Sequence, residues 1–369
     1  MHCFILLLFS GLSLVVSRAA ADQPAIELVR AVQGDTGATA ARRAVKIITA
    51  GGAENLVPVL KGFQGATPLA SNWLRSAFET IAAAEFKAGR DLPADELTEF
   101  ILVTENAPAA RRLAYEWLLK QDEMLEQRLI PGLLEDAHPD FRRDAVAQLI
   151  ARAQAGEDDQ AIELYSRALK GAVHDDQVQT IAAALEVAGK PVDLQKHFGF
   201  LPKWKIIGPF DNREMKGYPV VYPPETDFDP AATYDGQLGR VSWQDIATDD
   251  GYGIVSVAKQ IENYKGSLMY AVTTFHSIEE RNVEFRLGTP NAWKLWVNGV
   301  LRFEREEYHR STRMDQYRVP VSLRAGDNTI RLKVCQNEQE QSWAQAYQYQ
   351  LRVCDSSGAA ILSTGENNE

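Results

Sequence analysis

Residues 283–303 read VEFRLGTPNAWKLWVNGVLRF, and residues 319–334 read VPVSLRAGDNTIRLKV. Val283, Phe285 and Leu287 alternate with Glu284 and Arg286, and Ile330, Leu332 and Val334 alternate with Arg331, Lys333 and Cys335. A period of two sends successive side chains to opposite faces of a strand. Asn298-Gly299, between two apolar runs, is the signature of a tight hairpin turn. Candidate strands lie near 204–210, 254–258, 268–275, 282–288, 292–297, 300–304, 316–322, 328–335 and 346–354. Short strands at this spacing suggest an antiparallel β-sandwich of jelly-roll type.

The hairpin does not have one dry and one wet face. A two-residue turn puts Trp293, Leu295, Val297 and Val300 on one side. Trp296, Leu301 and Phe303 take the other side, with Lys294. One side fills the sandwich core. The second has to be covered by a strap, by the helical part of the chain, or by a ligand. The strap candidate is the segment 209–250, which carries Pro209, Pro219, Pro223, Pro224 and Pro230 and little periodicity. Long aperiodic segments of this kind are usually functional loops or covers.

The chain before residue 199 is written differently. From Pro24 to about Val192, Ala, Leu, Glu, Arg and Gln recur with helical period, and Gly, Pro and Asp separate the segments. Pro108-Ala-Ala-Arg111-Arg112-Leu-Ala114 returns as Pro139-Asp-Phe-Arg142-Arg143-Asp-Ala145, an offset of 139 − 108 = 31. Proline suits the first helical turn, where N–H groups have no partner in the helix. Pairs of short helices stacked side by side explain the recurrence. The fold class expected is therefore an N-terminal α-solenoid, with an irregular helical bundle as the alternative, followed by a C-terminal antiparallel sandwich. The expected boundaries are 1–21, 22–198, 199–362 and a polar, disordered tail 363–369.

Composition narrows the function. The first residues, MHCFILLLFSGLSLVVSRAAADQ, hold an apolar run from Phe4 to Val16 and then Ala19-Ala20-Ala21. This pattern reads as a signal peptide cleaved after Ala21, with an uncleaved anchor as the alternative, and implies a secreted or periplasmic protein. The run is short of the roughly 20 residues of a spanning helix, so no membrane span is expected after cleavage. A net charge of −11 argues against nucleic-acid partners. Cys335 and Cys354 lie on the polar faces of their strands. A bridge needs Cα atoms within about 7 Å, and neither pairing arrangement of these strands supplies that, so two unbridged thiols are expected.

The helical segments over residues 35–190 resemble HEAT-type repeats. Trp204-Lys-Ile-Ile-Gly-Pro-Phe-Asp211-Asn212, Lys294-Leu-Trp296-Val-Asn298-Gly299 and Ala325-Gly-Asp-Asn328-Thr-Ile330 are similar to galactose-binding-like β-sandwich modules. The whole chain resembles secreted bacterial proteins that join such repeats to this module. The resemblance implies a sandwich fold and, more distantly, carbohydrate binding. It supplies no catalytic residues. No cofactor is expected; some related sandwiches bind a structural calcium, and Asp211-Asn212 would be its place, although a turn role suits these residues better.

Candidate ligand-binding residues are Lys294 and Trp296 on the second hairpin side, Glu306, Tyr308 and His309 in the charged run 304–310, and Trp343 in the amide-rich loop 336–343. Amides suit sugar hydroxyls, and an indole suits the apolar face of a pyranose. A solvated loop with internal ion pairs is the plainer expectation for 304–310. His174-Asp175-Asp176 reads as a helix start with Asp as N-cap. No HExxH, GxSxG, Walker or dinucleotide signature occurs. The leading expectation is a non-catalytic extracytoplasmic binding or scaffold protein whose partners are glycan or another envelope protein. The alternatives are a glycan-active hydrolase using the 304–307 carboxylates with Asp227 or Asp229, and a purely structural envelope component.

Overall fold

A computed structural model describes residues 18–32, 37–156 and 158–364. The expected signal peptide falls mainly on residues outside that description. Helices come first and antiparallel sheets follow. Two compact units, Met1–Ala145 and Val146–Glu369, divide the chain.

In the first unit the helices are α1 (Arg18–Arg30), α2 (Ala38–Ala50), α3 (Leu56–Lys61), α4 (Pro68–Lys87), α5 (Ala94–Leu102), α6 (Pro108–Leu118) and α7 (Leu125–Leu129). A further helix, α8 (Pro139–Ala155), runs across the division. Thr67 caps α4, its hydroxyl accepting from the Ala70 N–H at 3.2 Å. Pro108 and Pro139 open α6 and α8, as the recurrence predicts. The recurring arginines converge on one turn. Arg111, fully buried, donates to both carboxylate oxygens of Asp136 at 2.9 and 2.6 Å. Arg142, its equivalent in the recurrence, donates to the Asp136 carbonyl at 2.6 Å. One acidic turn thus ties together two helices that start with the same motif. Around it Leu97, Leu113, Ala114, Tyr115, Leu125, Ile130 and Phe141 form a continuous apolar core.

The second unit opens with α9 (Asp158–Gly171), α10 (Asp175–Val187) and α11 (Leu194–Phe198). The sequence places the boundary at 198/199, but these helices group with the sheets. Hydrogen bonds account for the difference. Tyr252 donates its hydroxyl to Asp175 at 2.6 Å, Gln195 donates to the Thr248 and Asp250 carbonyls at 3.0 and 2.7 Å, and Arg352 donates to the Phe198 carbonyl at 3.2 Å. His174, not Asp, is the N-cap residue of α10; Asp175 and Asp176 lie in its first turn, where carboxylates favour the helix dipole.

The strands are β1 (Lys203–Asp211), β2 (Thr233–Gly236), β3 (Gly239–Ser242), β4 (Gln244–Ala247), β5 (Val255–Ser256), β6 (Ser267–Ser277), β7 (Arg281–Gly288), β8 (Ala292–Val297), β9 (Val300–Arg305), β10 (Tyr317–Leu323), β11 (Gly326–Gln336) and β12 (Gln348–Cys354). They form a six-stranded sheet in the order β4-β1-β6-β11-β8-β9, a four-stranded sheet in the order β10-β7-β12-β5, and the small pair β2-β3. Trp204 and Ile206 of β1, Ile330, Leu332 and Val334 of β11, Val283, Phe285 and Leu287 of β7, and Tyr349, Leu351 and Val353 of β12 meet in one core between the two larger sheets. These are the apolar faces that alternation predicts.

Three sequence expectations need correction. The strap is not aperiodic throughout, because β2, β3 and β4 lie inside it and β4 pairs with β1. In the hairpin, Asn298 and Gly299 take φ of 52° and 77°, as a type I′ turn requires. The register, however, shifts between Leu295 and Trp296, so Leu295 faces Phe303 while Trp296 faces Leu301. The extra residue, Arg302, turns Phe303 onto the core side, where it stacks on Trp293 at 5.1 Å. Val300 sits at the turn and is exposed rather than in the core. Finally, Ser363 and Thr364, the first two residues of the expected tail, are held in place, while the rest of it lies outside the described residues. The Ser363 hydroxyl accepts from the His276 N–H at 2.9 Å, and the Thr364 N–H donates to the His276 carbonyl at 3.2 Å.

Candidate functional site

The outer face of the six-stranded sheet is where Lys294, Trp296, Arg331, Lys333 and Cys335 point, opposite the core-facing residues of β8 and β11. Alternation marks much of this face as polar and wet. It is in fact buried: Lys333 is 0 % exposed and Trp296 7 %. The strap covers it. Tyr218, Tyr222, Tyr234, Val241 and Trp243 pack with Ile207, Phe210, Leu268, Tyr270, Ala292 and Cys335 in a second apolar layer. A one-turn helix, α12 (Pro223–Thr226), brings down Glu225.

Lys333 Nζ donates to the Tyr218 carbonyl at 2.8 Å, to the Val220 carbonyl at 2.7 Å and to the Glu225 carboxylate at 3.1 Å. Tyr270 donates to the same carboxylate at 2.6 Å. Arg331, the cross-strand neighbour of Trp296, donates to the Glu225 carbonyl. Burial pulls the Lys333 ammonium below the usual lysine range, while Glu225 opposes that shift. Lys294 lies over the Tyr218 ring at 4.6 Å and pairs with Glu304 at 3.1 Å. Lys294 is therefore a strap support, and Trp296 is a buried neighbour of the strap-binding Arg331. They do not join the other candidate residues.

Tyr308, His309 and Trp343 do come together, on the β9–β10 and β11–β12 loops. His309 sits at φ 57°, and its ring lies against the second loop. Its Nε2 lies 2.6 Å from Asn337 Oδ1. That oxygen also accepts from the Gln339 N–H at 3.1 Å, which fixes the amide's orientation and makes His309 Nε2 the donor. The imidazole meets the Trp343 indole edge to face, with centroids 5.1 Å apart and planes at 90°. Trp343 is 62 % exposed, on a one-turn 3-10 helix whose neighbour Ala344 is buried. The backbone beneath it is pinned, because the Ala344 carbonyl accepts from Lys265 Nζ at 2.9 Å and Gln345 Nε2 donates to the Gln341 carbonyl at 3.0 Å.

The remaining carboxylates have separate roles. Glu306 is exposed on the first loop. Glu307 lies 3.7 Å from Arg305 and 3.5 Å from Arg310. Asp227 and Asp229 accept from the Phe228 and Ala231 N–H groups at 2.9 Å each. Asp211 is held by Arg213 at 2.8 and 2.7 Å, which keeps its carboxyl below the usual range. Among the described residues no group of three or more His, Cys, Asp or Glu is arranged to hold a metal ion.

Cys335 and Cys354 are free, buried thiols on strands of different sheets. Burial pushes them up to about 12 and about 11 respectively, so neither is reactive thiolate at neutral pH.

Two clefts lie elsewhere in the second unit. One, of about 510 Å³, is lined by Lys205, Phe228, Asp245, Val272, Thr274 and Ser363, and its Lys205 pairs with Asp245 at 2.6 Å. The other, of about 340 Å³, is lined by Leu169, His197, Phe198 and Ala360. Neither contains a residue singled out from the sequence as a ligand contact. Asn212, which matters at the two loops, reads in the sequence only as a turn residue, because its partners lie 96 and 124 residues away.

No protein-family model matches the chain, and no curated protein matches it. Among solved structures the chain is similar to the β-glucosidase from Kluyveromyces marxianus in complex with glucose (11 % identity, 41 % of this chain and 16 % of that one, TM-score 0.28). It is also similar to an anti-sigma factor domain-containing protein from Clostridium clariflavum (13 % identity, 45 % and 48 % covered, TM-score 0.24) and to a GH31 α-xylosidase from Xanthomonas citri (13 % identity, 34 % and 18 % covered, TM-score 0.19). The chain thus spans about half or less of each of these proteins, and likenesses this low carry no argument about activity. Among the described residues, no helix is long and apolar enough to cross a membrane.

Proposed function

We propose that the second unit is a non-catalytic glycan-binding module whose ligand stacks on Trp343. The observation that carries this reading is the exposed indole against His309, on the same loop as the exposed side chains of Gln339 and Gln341, with His309 fixed by the buried Asn337 amide. An aromatic platform with a few fixed polar groups is how a protein orients a sugar ring: the indole takes the C–H face, and the amides take the hydroxyls. The first unit then acts as a protein-docking scaffold of HEAT-like solenoid type. The convergence of Arg111 and Arg142 on Asp136 supports that reading, since equivalent residues of successive repeats meet at one interface. The pair of sheets is read as a jelly roll, and the chain as an exported protein carrying residues 1–21 as its leader.

The engagements of Glu304, Glu307, Asp227 and Asp229 with cations or turn N–H groups support binding over hydrolysis. Burial of Trp293 and Trp296 supports a purely structural role for that hairpin, whatever the loops bind. A glycan array probed with the full chain tests the proposal. At least one glycan binds, and Trp343→Ala weakens it at least about tenfold, roughly 1.4 kcal/mol, with the melting temperature retained. Binding of no glycan, or equal binding by Trp343→Ala, overturns it and leaves the structural component as the reading.

A further inference from the structure

We infer that Asn212, the residue at which the strap leaves β1, is the positioning residue of this site: a buried clamp that sets the two ligand-facing loops relative to each other. The inference rests on the glycan-binding reading. Asn212 is 0 % exposed. Its Nδ2 donates in two directions, to the Tyr308 hydroxyl at 3.3 Å on the first loop and to the Gln336 carbonyl at 3.0 Å at the root of the second. Its own N–H donates to the Gly266 carbonyl at 2.8 Å, and the Gly266 N–H donates to the Asn337 carbonyl at 3.0 Å. A single side chain therefore reaches the residue before His309 and the residue before Asn337, and its backbone is linked to Asn337 through Gly266.

The strap turn is built to hold Asn212 there. Glu214 and Met215 take φ of 57° and 60°, a region L side chains rarely adopt. The Glu214 N–H is bound by the Glu338 carboxylate, a third tie to the second loop. Gly217 folds back so closely that a Cβ there would lie 2.0 Å from the Asp211 carbonyl oxygen and 2.9 Å from Asn212 Cα. Tyr222 closes the turn by donating to the Asp211 carbonyl at 2.7 Å. Burial pushes the Tyr308 phenol above its ordinary range, so its hydroxyl stays neutral and able to accept from Asn212.

Three variants of the full chain test the clamp: Tyr308→Phe, which removes one hydroxyl and keeps the ring; Asn212→Ala; and Gly217→Ala, which presses on Asn212 without touching either loop. Two readouts are taken, amide hydrogen exchange and affinity for whichever array glycan the wild type binds. Tyr308→Phe is expected to raise exchange about tenfold in residues 306–313 and 336–345 while the other strands keep their protection. Its glycan affinity falls about fivefold at an unchanged melting temperature. Gly217→Ala is expected to reproduce both effects. Unchanged exchange in both loops overturns the clamp, and so does loosened exchange with full affinity. If the wild type binds no glycan, the functional reading fails and the positioning role falls with it, while the exchange arm still decides whether Asn212 couples the loops. If Asn212→Ala fails to fold, Tyr308→Phe alone decides.

Discussion

At the scale of single residues, the two tryptophans that look alike in sequence behave oppositely. Trp296 is buried, with Leu301 and Arg331 as its cross-strand neighbours, and Trp343 stands in solvent. Truncating the first is expected to cost about 3–5 kcal/mol, by lost burial and the cavity left behind. Truncating the second costs little. Thermal melting of Trp296→Ala beside Trp343→Ala checks the contrast; equal melting temperatures would refute it. Trp296 lies in the apolar run 292–297 and Trp343 in the polar run 336–345, yet both read from the sequence as candidate ligand contacts. Part of the difference is Arg331, a cross-strand neighbour that arrives from elsewhere in the chain and is itself held by the Glu225 carbonyl. Phe303 teaches the same lesson on a smaller scale. One bulged residue moves it to the opposite face from the one a regular alternation assigns.

At the scale of elements, the strap is the feature that period-two reading handles least well. Arg331 and Lys333 read as residues of a wet face because they are charged, yet they are the anchors of a cover. Glu225 is the counterpart that makes burial of Lys333 tolerable. Removing it leaves an ammonium with only carbonyl partners, so Glu225→Ala is expected to destabilise the unit by about 3–5 kcal/mol, whereas Glu225→Gln with Lys333→Met recovers much of the loss. Hydrogen exchange localises the effect, with faster exchange over residues 212–247 than over β7 and β12. Uniform acceleration across both sheets would mean that the strap is not a separate element. The strands within the strap are hidden in the sequence because each has only four residues and pairs with distant or equally short partners.

At the scale of the whole molecule, charge networks tie the helices of the second unit to its sheets. Arg352 holds Asp315 at 2.6 and 2.7 Å, Arg286 holds it at 2.6 Å, and Arg352 also reaches the Phe198 carbonyl. Burial alone would raise the Asp315 carboxyl, but Arg352 first and Arg286 next outweigh it and hold it below its ordinary range. A folded-state value below the unfolded value of about 3.9 means that this stabilisation is complete above about pH 4 and is lost as pH falls through the folded value. Calorimetry below pH 4 should therefore show the second unit weakening, with Asp315→Asn less stable by about 3–5 kcal/mol at neutral pH and less sensitive to acid. An acid limb identical in the variant would refute the assignment. The sequence by itself determined the order of the two grammars, the helix starts at Pro108 and Pro139, the approximate places of the long strands, the core-facing residues of β1, β7, β11 and β12, and the Asn298-Gly299 turn, because periodicity and turn chemistry act over a few residues. Only the tertiary structure decided what covers the outer face, where the second unit begins, and which candidate residues meet. Those outcomes depend on contacts such as Asn212 with Gln336 and Glu225 with Lys333, made across more than a hundred residues, which no local pattern encodes.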